Sequence, residues 1–431
     1  MIGVLADDTT GANDVGVAFQ IGGAGVKVIA FEEETVITPD EDVMVIDTNS
    51  RLDGPEIAYK KVATATRQLM QAGCTQFYKK ACSTLRGNVG AEFDAVLDAT
   101  GLNTMIVSVA FPENERATIN GQHYVHGVLL ENSNFRDDPV HPMTTSNLGQ
   151  IIGMQSSRKA VVVPLSEVRK GPSALRDYLK TLRDDFSYLL IDGETREDIA
   201  VLATAAFDYP VFGGSSALGQ DLPKHLGKFN GPAAIDREAL VGSGASLIVC
   251  GSLTPQTIEQ TSQFLTTGAS NFEFHSVDIF NPEYCTKWLS SVIPSARKFL
   301  ESGKDVLLYA SQKPETVAAT KLLAKNHKLD DAQLGKKISA LLGEAAYGIL
   351  KDTPPYPLIV AGGDTSAAVC GKLGIHGNRI IEEIDPGVPL GQTLTIPRLI
   401  VLKSGGFGKP DFLIRASRRI REISQSSVVE Q

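Results

Sequence analysis

The stretch Ile2-Gly3-Val4-Leu5-Ala6-Asp7-Asp8-Thr9-Thr10-Gly11-Ala12-Asn13-Asp14 decides the fold class. Its first five residues form a short apolar run, and such runs make strands buried on both faces, as in mainly parallel sheets. The polar turn that follows leads into a helical pattern in which Ala12, Val15 and Phe19 share a face. A strand that passes at once into a helix opens an α/β fold. It also sets Asp7, Asp8 and Asp14 near the carboxyl end of a strand, where open α/β sheets bind their ligands.

Similar runs recur along the chain at Val43–Ile46, Met105–Val109, Ala160–Val163, Tyr188–Ile191, Leu247–Val249, Val306–Tyr309, Leu358–Ala361 and Leu399–Leu402. After Asp53-Gly54-Pro55, the 4-3-4 spacing of Ala58, Val62, Ala65 and Leu69 predicts a helix ending at Gly73, which crosses over between two parallel strands. With 431 residues the chain exceeds what one core serves. The expected architecture is therefore α/β in two domains, each a mainly parallel sheet flanked by helices. The Gly- and Pro-bearing stretch Lys224–Ser246 separates them, giving domains over 1–228 and 245–424 and a frayed tail after Ser424.

Composition narrows the function. A net charge of −9, with no Lys/Arg cluster, argues against a nucleic-acid or anionic-membrane partner, so an anionic substrate must be held by a few local groups in a pocket. The five cysteines, Cys74, Cys82, Cys250, Cys285 and Cys370, contain no C-x-x-C pair and read as reduced thiols filling the core. Met1 runs directly into the first strand, and no apolar stretch approaches membrane-spanning length, so a cytoplasmic protein is expected.

Three carboxylates at Asp7, Asp8 and Asp14 are more than helix capping needs, and they can accept hydrogen bonds from substrate hydroxyls or take a proton. Arg51, in Asp47-Thr48-Asn49-Ser50-Arg51, and Lys79, Lys80 and Arg86, in the run 78–87, are the candidates to hold a substrate carboxylate, Arg by a bidentate fork and Lys as a point charge. Each alone reads as a surface charge; their position after strands, next to Ala81 and interleaved with Ser83 and Thr84, raises their standing. His123, His126 and His141 lack the glutamate and the helix of a zinc motif, and the segment from Phe111 to Pro142 reads as a long polar loop that shapes a cleft or meets another protomer.

In the second half, three glycine turns follow strand-like runs: Cys250-Gly251-Ser252-Leu253-Thr254-Pro255, Ala361-Gly362-Gly363-Asp364-Thr365-Ser366 and Lys403-Ser404-Gly405-Gly406-Phe407-Gly408-Lys409. Small residues there let backbone N–H groups approach phosphates, so together the turns suggest a nucleotide cradle. None is a Walker A, dinucleotide-binding or protein-kinase motif. Asp364 heads a helical pattern through Ala368 and Leu373, as a helix cap or as a carboxylate that takes a proton or helps place magnesium.

The segments Ala-Asp-Asp-Thr-Thr-Gly-Ala-Asn-Asp at 6–14, Asn-Ser-Arg at 49–51, Lys-Lys with Ser-Thr-Leu-Arg-Gly at 79–87, Phe-Pro-Glu-Asn at 111–114, Gly-Gly-Asp-Thr-Ser at 362–366 and Gly-Gly-Phe-Gly at 405–408 resemble, in this order, the four-carbon acid sugar kinase family. The resemblance covers nearly the whole chain. It departs at Asn13, where an acidic residue is common, and at Glu115, often a glycine.

The resemblance implies an N-terminal acid-sugar-binding domain and a C-terminal nucleotide-binding domain. It also implies ATP and Mg2+, and phosphorylation of the terminal hydroxyl of threonate, erythronate or their oxo forms. Carried over by position, Asp8, Arg51 and the Lys79–Ser83 region contact the acid sugar, while Ser252, Gly362, Gly363, Asp364, Thr365 and Gly408 line the ATP site. Asp364 and Asp8 are the candidate bases, and domain closure is expected to bring the two ligands together. An aldolase or epimerase for a phosphorylated sugar acid, and a non-catalytic sensor, are the other readings. A homodimer is expected only from symmetry statistics.

Overall fold

The computed structural model describes residues 1–138, 140–227, 229–231, 236 and 244–429, with side chains described through 425. The chain divides into two compact units, Met1–Ala233 and Ala234–Gln431. Much of the predicted boundary stretch Lys224–Ser246 lies outside the described residues.

The first unit holds strands β1 (Ile2–Ala6), β2 (Val26–Ala30), β3 (Val43–Asp47), β4 (Gln76–Lys80), β5 (Met105–Ser108), β6 (Arg116–Ile119), β7 (Gln122–Val125), β8 (Val128–Leu129), β9 (Ala160–Val163), β10 (Tyr188–Ile191) and β11 (Val211–Gly214). Eight of them form a parallel sheet in the order β2-β3-β1-β4-β11-β5-β10-β9. The predicted helix is present as Pro55–Gln71 and connects β3 to β4, which lie on either side of β1. Val62 and Leu69 of this helix pack with Phe93 and Val96 of the helix Val89–Thr100 against Leu5, Met44 and Phe77 of the sheet. On the other face, Phe19 of the helix Thr9–Ile21 meets Tyr78 edge-on at 5.7 Å.

The segment expected as a polar loop is instead a three-stranded antiparallel ribbon, β6-β7-β8. The turns explain the difference. Asn120-Gly121 and His126-Gly127 all have positive φ (52°, 71°, 49° and 77°), the backbone of two-residue hairpins. Glu115, just before β6, also has φ of 54°, which accounts for glycine being common there.

The second unit holds β12 (Leu247–Cys250), β13 (Ser270–Phe274), β14 (Val306–Ala310), β15 (Leu358–Ala361), β16 (Gly377–Asp385), β17 (Val388–Thr393) and β18 (Leu399–Lys403) in the order β13-β14-β12-β15-β18-β17-β16. The first five are parallel, and β17 runs antiparallel to both β18 and β16. Leu247 and Val249 of β12 feed one core, Ile248 and Cys250 the other. Burial on both faces is why these strands read as continuous apolar runs. The tail expected to fray after Ser424 continues the helix Phe412–Val429. Among the described residues no helix is long and apolar enough to cross a membrane.

Candidate active site

In the first unit, adjacent strands β3, β1 and β4 deliver their carboxyl ends side by side. Arg51 forks onto Asp7, with Nε donating to Oδ2 at 2.7 Å and Nη2 to Oδ1 at 2.9 Å, and Nη2 also donates to Asp8 Oδ1 at 2.7 Å. Burial alone would push Asp7 up, but Arg51, helped by Lys79 and Lys80, holds its carboxyl well below the usual range. Asp8 is also the cap of the helix Thr9–Ile21, accepting from the Gly11 N–H at 2.9 Å and from the Thr10 hydroxyl. The fork expected to grip a substrate carboxylate is therefore already closed on Asp7. Arg51 sets the direction of two carboxylates whose remaining lone pairs suit sugar hydroxyls.

Lys79 and Lys80 lie in β4 rather than after it, and strand alternation sends them to opposite faces. Lys80 Nζ reaches Asp14 at 3.3 Å beneath the first turn of the helix Thr9–Ile21. Lys79 has no exposed surface and pairs with the buried Glu92 at 2.8 Å, which also accepts from Ser50 Oγ at 2.5 Å. Lys79, expected at the substrate, directs its charge at Glu92 and through it braces the loop that carries Arg51.

The Ala81 N–H donates to Gly214 O at 2.7 Å, and Arg86 Nη1 pairs with Asp138 at 2.8 Å. His123 bonds the Ser83 carbonyl through Nε2 at 2.7 Å, and burial holds its pKa down to about 4, so the neutral ring donates. His141 Nε2 bonds the Arg51 carbonyl at 2.9 Å. These histidines fix backbone, and among the described residues no group of three or more His, Cys, Asp or Glu could hold a metal.

Two groups stand out that sequence reasoning missed. Asp47, at the end of β3, accepts from Thr9 Oγ1 at 2.6 Å and from the Asn49 N–H at 2.9 Å. Burial, with Asp8 and Asp7 nearby, pushes its carboxyl up to about 7. Arg116 of β6 is buried; its Nη1 donates to Asn114 O at 2.6 Å, while its Nε, like that of Arg86, has no hydrogen-bond partner. Between these cations lies Cys82. Burial raises its thiol, yet Arg86 and Arg51 outweigh that and bring it down to about 6. Asp47 ends an apolar run and was legible in principle; Arg116 reaches the site only through the ribbon.

In the second unit, adjacent strands β12, β15 and β18 carry the three glycine turns at their carboxyl ends. The turns touch: a Cβ on Gly251 would fall onto Thr365 Oγ1 and one on Gly405 onto Ser252 Oγ, while one on Gly362 would sit 3.3 Å from the Ser252 N. Thr254 caps the helix Pro255–Leu265, and Gly362, with φ of 124°, precedes the helix Gly363–Leu373. Two helix N-termini thus open on one cluster of small residues, an arrangement that suits an anion. Gly362 holds the cap position, so Asp364 is an exposed carboxylate in the first turn rather than the cap. Gly408, with φ of 82°, lies between Gln260 and Phe412.

A family model described as a sugar-binding N-terminal domain matches residues 2–222, and one described as a nucleotide-binding C-terminal domain matches residues 247–413. A 3-oxo-tetronate kinase of Burkholderia multivorans is 31% identical over 431 residues, covering 97% of both chains, and one of Pseudomonas savastanoi pv. phaseolicola is 30% identical over 430 residues, again covering 97% of both. A D-threonate kinase of Salmonella typhimurium is 29% identical over 430 residues, covering 97% of this chain and 98% of its own. A solved Haemophilus influenzae protein superimposes with a TM-score of 0.75 at 29% identity, over 97% of this chain and 100% of that one.

Proposed function

We propose that this chain, which belongs to the four-carbon acid sugar kinase family and is a kinase, transfers a phosphoryl group from ATP to the terminal 4-hydroxyl of an acid such as D-threonate, D-erythronate or an oxo-tetronate. Kinase relatives along the whole chain set aside the aldolase, epimerase and sensor readings.

The observation that carries the proposal is the division of chemistry between the units. The first gathers Asp7 and Asp8 after β1 with Arg51 from the loop after the adjacent β3; the second gathers three glycine turns at three strand ends. Asp7 and Asp8, directed by Arg51, accept hydrogen bonds from the sugar hydroxyls. The acid's carboxylate goes to Arg86 and Arg116, whose buried Nε groups lack partners. Ser83 and Ala81 shape the floor of this subsite and Lys80 supports it from below.

Ser252, Gly362, Gly363, Thr365 and Gly408 receive the nucleotide phosphates through backbone N–H groups and helix N-termini. Asp364, an exposed carboxylate in the first helical turn beside the glycine turns, is the residue that would help hold Mg2+. Bound there it would neutralise charge that develops on the transferred group. Asp8 and Asp364 are the two carboxylates proposed to receive the acceptor's proton. Five thiols, none of them in a disulfide, support a cytoplasmic location.

The test is ATP consumption by the full chain with magnesium across a panel of C4 sugar acids, with Arg51→Ala and Asp364→Asn alongside and the product located by 31P NMR. Turnover that yields a C4 phosphomonoester and falls in both variants supports the proposal. A wild type inactive on every C4 acid but active on another acid would overturn the substrate class.

A further inference from the structure

Lys403, the last residue of β18, has no exposed surface, and among the described residues no carboxylate forms an ion pair with it. Its Nζ instead donates to Thr257 Oγ1 at 3.0 Å and to the carbonyl oxygens of Ser404 at 2.9 Å, Gly405 at 3.0 Å and Phe407 at 3.1 Å. Other side-chain donors finish the work on the same loop. Gln260 Nε2 donates to the carbonyls of Phe407 at 3.0 Å, Gly408 at 2.9 Å and Lys409 at 3.0 Å, and the hydroxyls of Thr254 and Thr257 donate to Gly405 O at 2.6 and 2.8 Å. Between 404 and 409, only the carbonyl of Gly406 is not drawn inward by one of these side chains.

In a trans peptide the N–H points opposite to the C=O of the preceding residue. Inward carbonyls at Ser404, Gly405, Phe407 and Gly408 therefore turn the N–H groups of Gly405, Gly406, Gly408 and Lys409 the other way. Lys409's is taken by Asp385 Oδ2 at 2.8 Å. Those of Gly405, Gly406 and Gly408 make no hydrogen bond among the described residues. Unsatisfied backbone donors gathered on one short loop form an anion-binding nest.

We propose that Lys403 is a positioning residue of the nucleotide site: by holding the carbonyls of Ser404, Gly405 and Phe407 inward it presents the Gly405, Gly406 and Gly408 amides to phosphate oxygens, without touching the nucleotide itself. The inference deepens the kinase reading and rests on it for the identity of the anion. It differs from the usual role of a lysine beside a glycine loop, which is to reach the phosphates directly. Here the ammonium is enclosed by its own loop. Burial brings the Lys403 pKa down to about 8, opposed only partly by Cys250 on β12 and Asp385 on β16, the titratable groups that act on it.

The experiment compares the full-length wild type with Lys403→Met and Lys403→Arg. It measures ADP affinity by calorimetry, the KM values for ATP and for the acid sugar, and the pH dependence of ATP KM. Lys403→Met is expected to weaken ADP and raise ATP KM by about tenfold or more, as when several aligned donors are lost, while acid-sugar KM stays within about twofold. Lys403→Arg should recover part of the loss, and the wild-type rise in ATP KM above about pH 8 should be missing from it, because arginine keeps its charge. A folded Lys403→Met with wild-type ADP affinity would overturn the inference alone. If Lys403→Met does not fold, Gln260→Leu serves: weaker ADP binding supports the nest, and unchanged binding sinks it. A wild type that binds no ADP would overturn the nucleotide reading and this inference with it.

Discussion

Arg51 and Asp7 form a two-point fork, Nε to Oδ2 at 2.7 Å and Nη2 to Oδ1 at 2.9 Å, which joins the loop after β3 to the end of β1. The pair is mostly buried, so solvent screens it little, and the second bond from Nη2 to Asp8 makes one guanidinium the hinge of both carboxylates.

Replacing Arg51 by lysine keeps the charge and loses the fork. We expect kcat/KM for the acid sugar to fall about a hundredfold with ATP KM little changed, since a point charge cannot orient two carboxylates at once. Steady-state kinetics with each substrate varied in turn checks this; an equal loss on the ATP side would contradict it.

Burial, with Asp8 and Asp7 nearby, pushes the Asp47 carboxyl up to about 7 in the folded chain, against an ordinary aspartate value of 3.8. Between those values the unfolded chain has released its proton and the folded chain retains it, so stability falls as pH rises through this window and the cost is complete above about 7. Asp47→Asn removes the cost. The variant should melt higher than wild type at pH 8, by about a few degrees, with the difference vanishing toward pH 4. Melting curves across that range decide the point; equal melting at pH 8 would refute it.

Lys79 and Glu92 are a wholly buried pair. Lys79→Met strands an uncompensated carboxylate and should cost about 3–5 kcal/mol, whereas Lys79→Met with Glu92→Leu should regain much of that. Urea denaturation of wild type, single and double variants checks it. A double variant no more stable than the single would show that the pair is not the cause.

Gly362 stands at φ of 124°, and an added Cβ would lie 3.2 Å from Thr365 Oγ1 and 3.3 Å from the Ser252 N. Gly362→Ala should lose about 1–3 kcal/mol and raise ATP KM, leaving acid-sugar KM near wild type, because the strain falls inside the phosphate turn. Thermal melting and a KM comparison test both halves.

Much of the fold was legible because its cause is local. Continuous apolar runs such as Tyr188–Ile191 and Leu358–Ala361 coincide with strands residue for residue, since burial on both faces leaves no alternation to misread. Strand β4 was harder, because Gln76–Lys80 ends in two lysines, and β11 because Val211–Gly214 is half glycine. The ribbon β6-β7-β8 was hidden by its polar composition, although Asn120-Gly121 is itself a hairpin signal.

The sequence by itself determined the α/β class, the acidic turn after the first strand, the three glycine turns and the family, because each is written in contiguous residues. Only the tertiary structure decided what the charges do. That Arg51 is spent on Asp7 and Asp8, that Lys79 is sealed against Glu92, that Arg116 carries an unpartnered donor and that Lys403 holds a loop from within are facts of burial and of pairing in three dimensions. Whether a lysine or arginine is a surface charge, a brace or a ligand group depends on burial and on the nearest opposite charge, and neither is set by its neighbours in sequence.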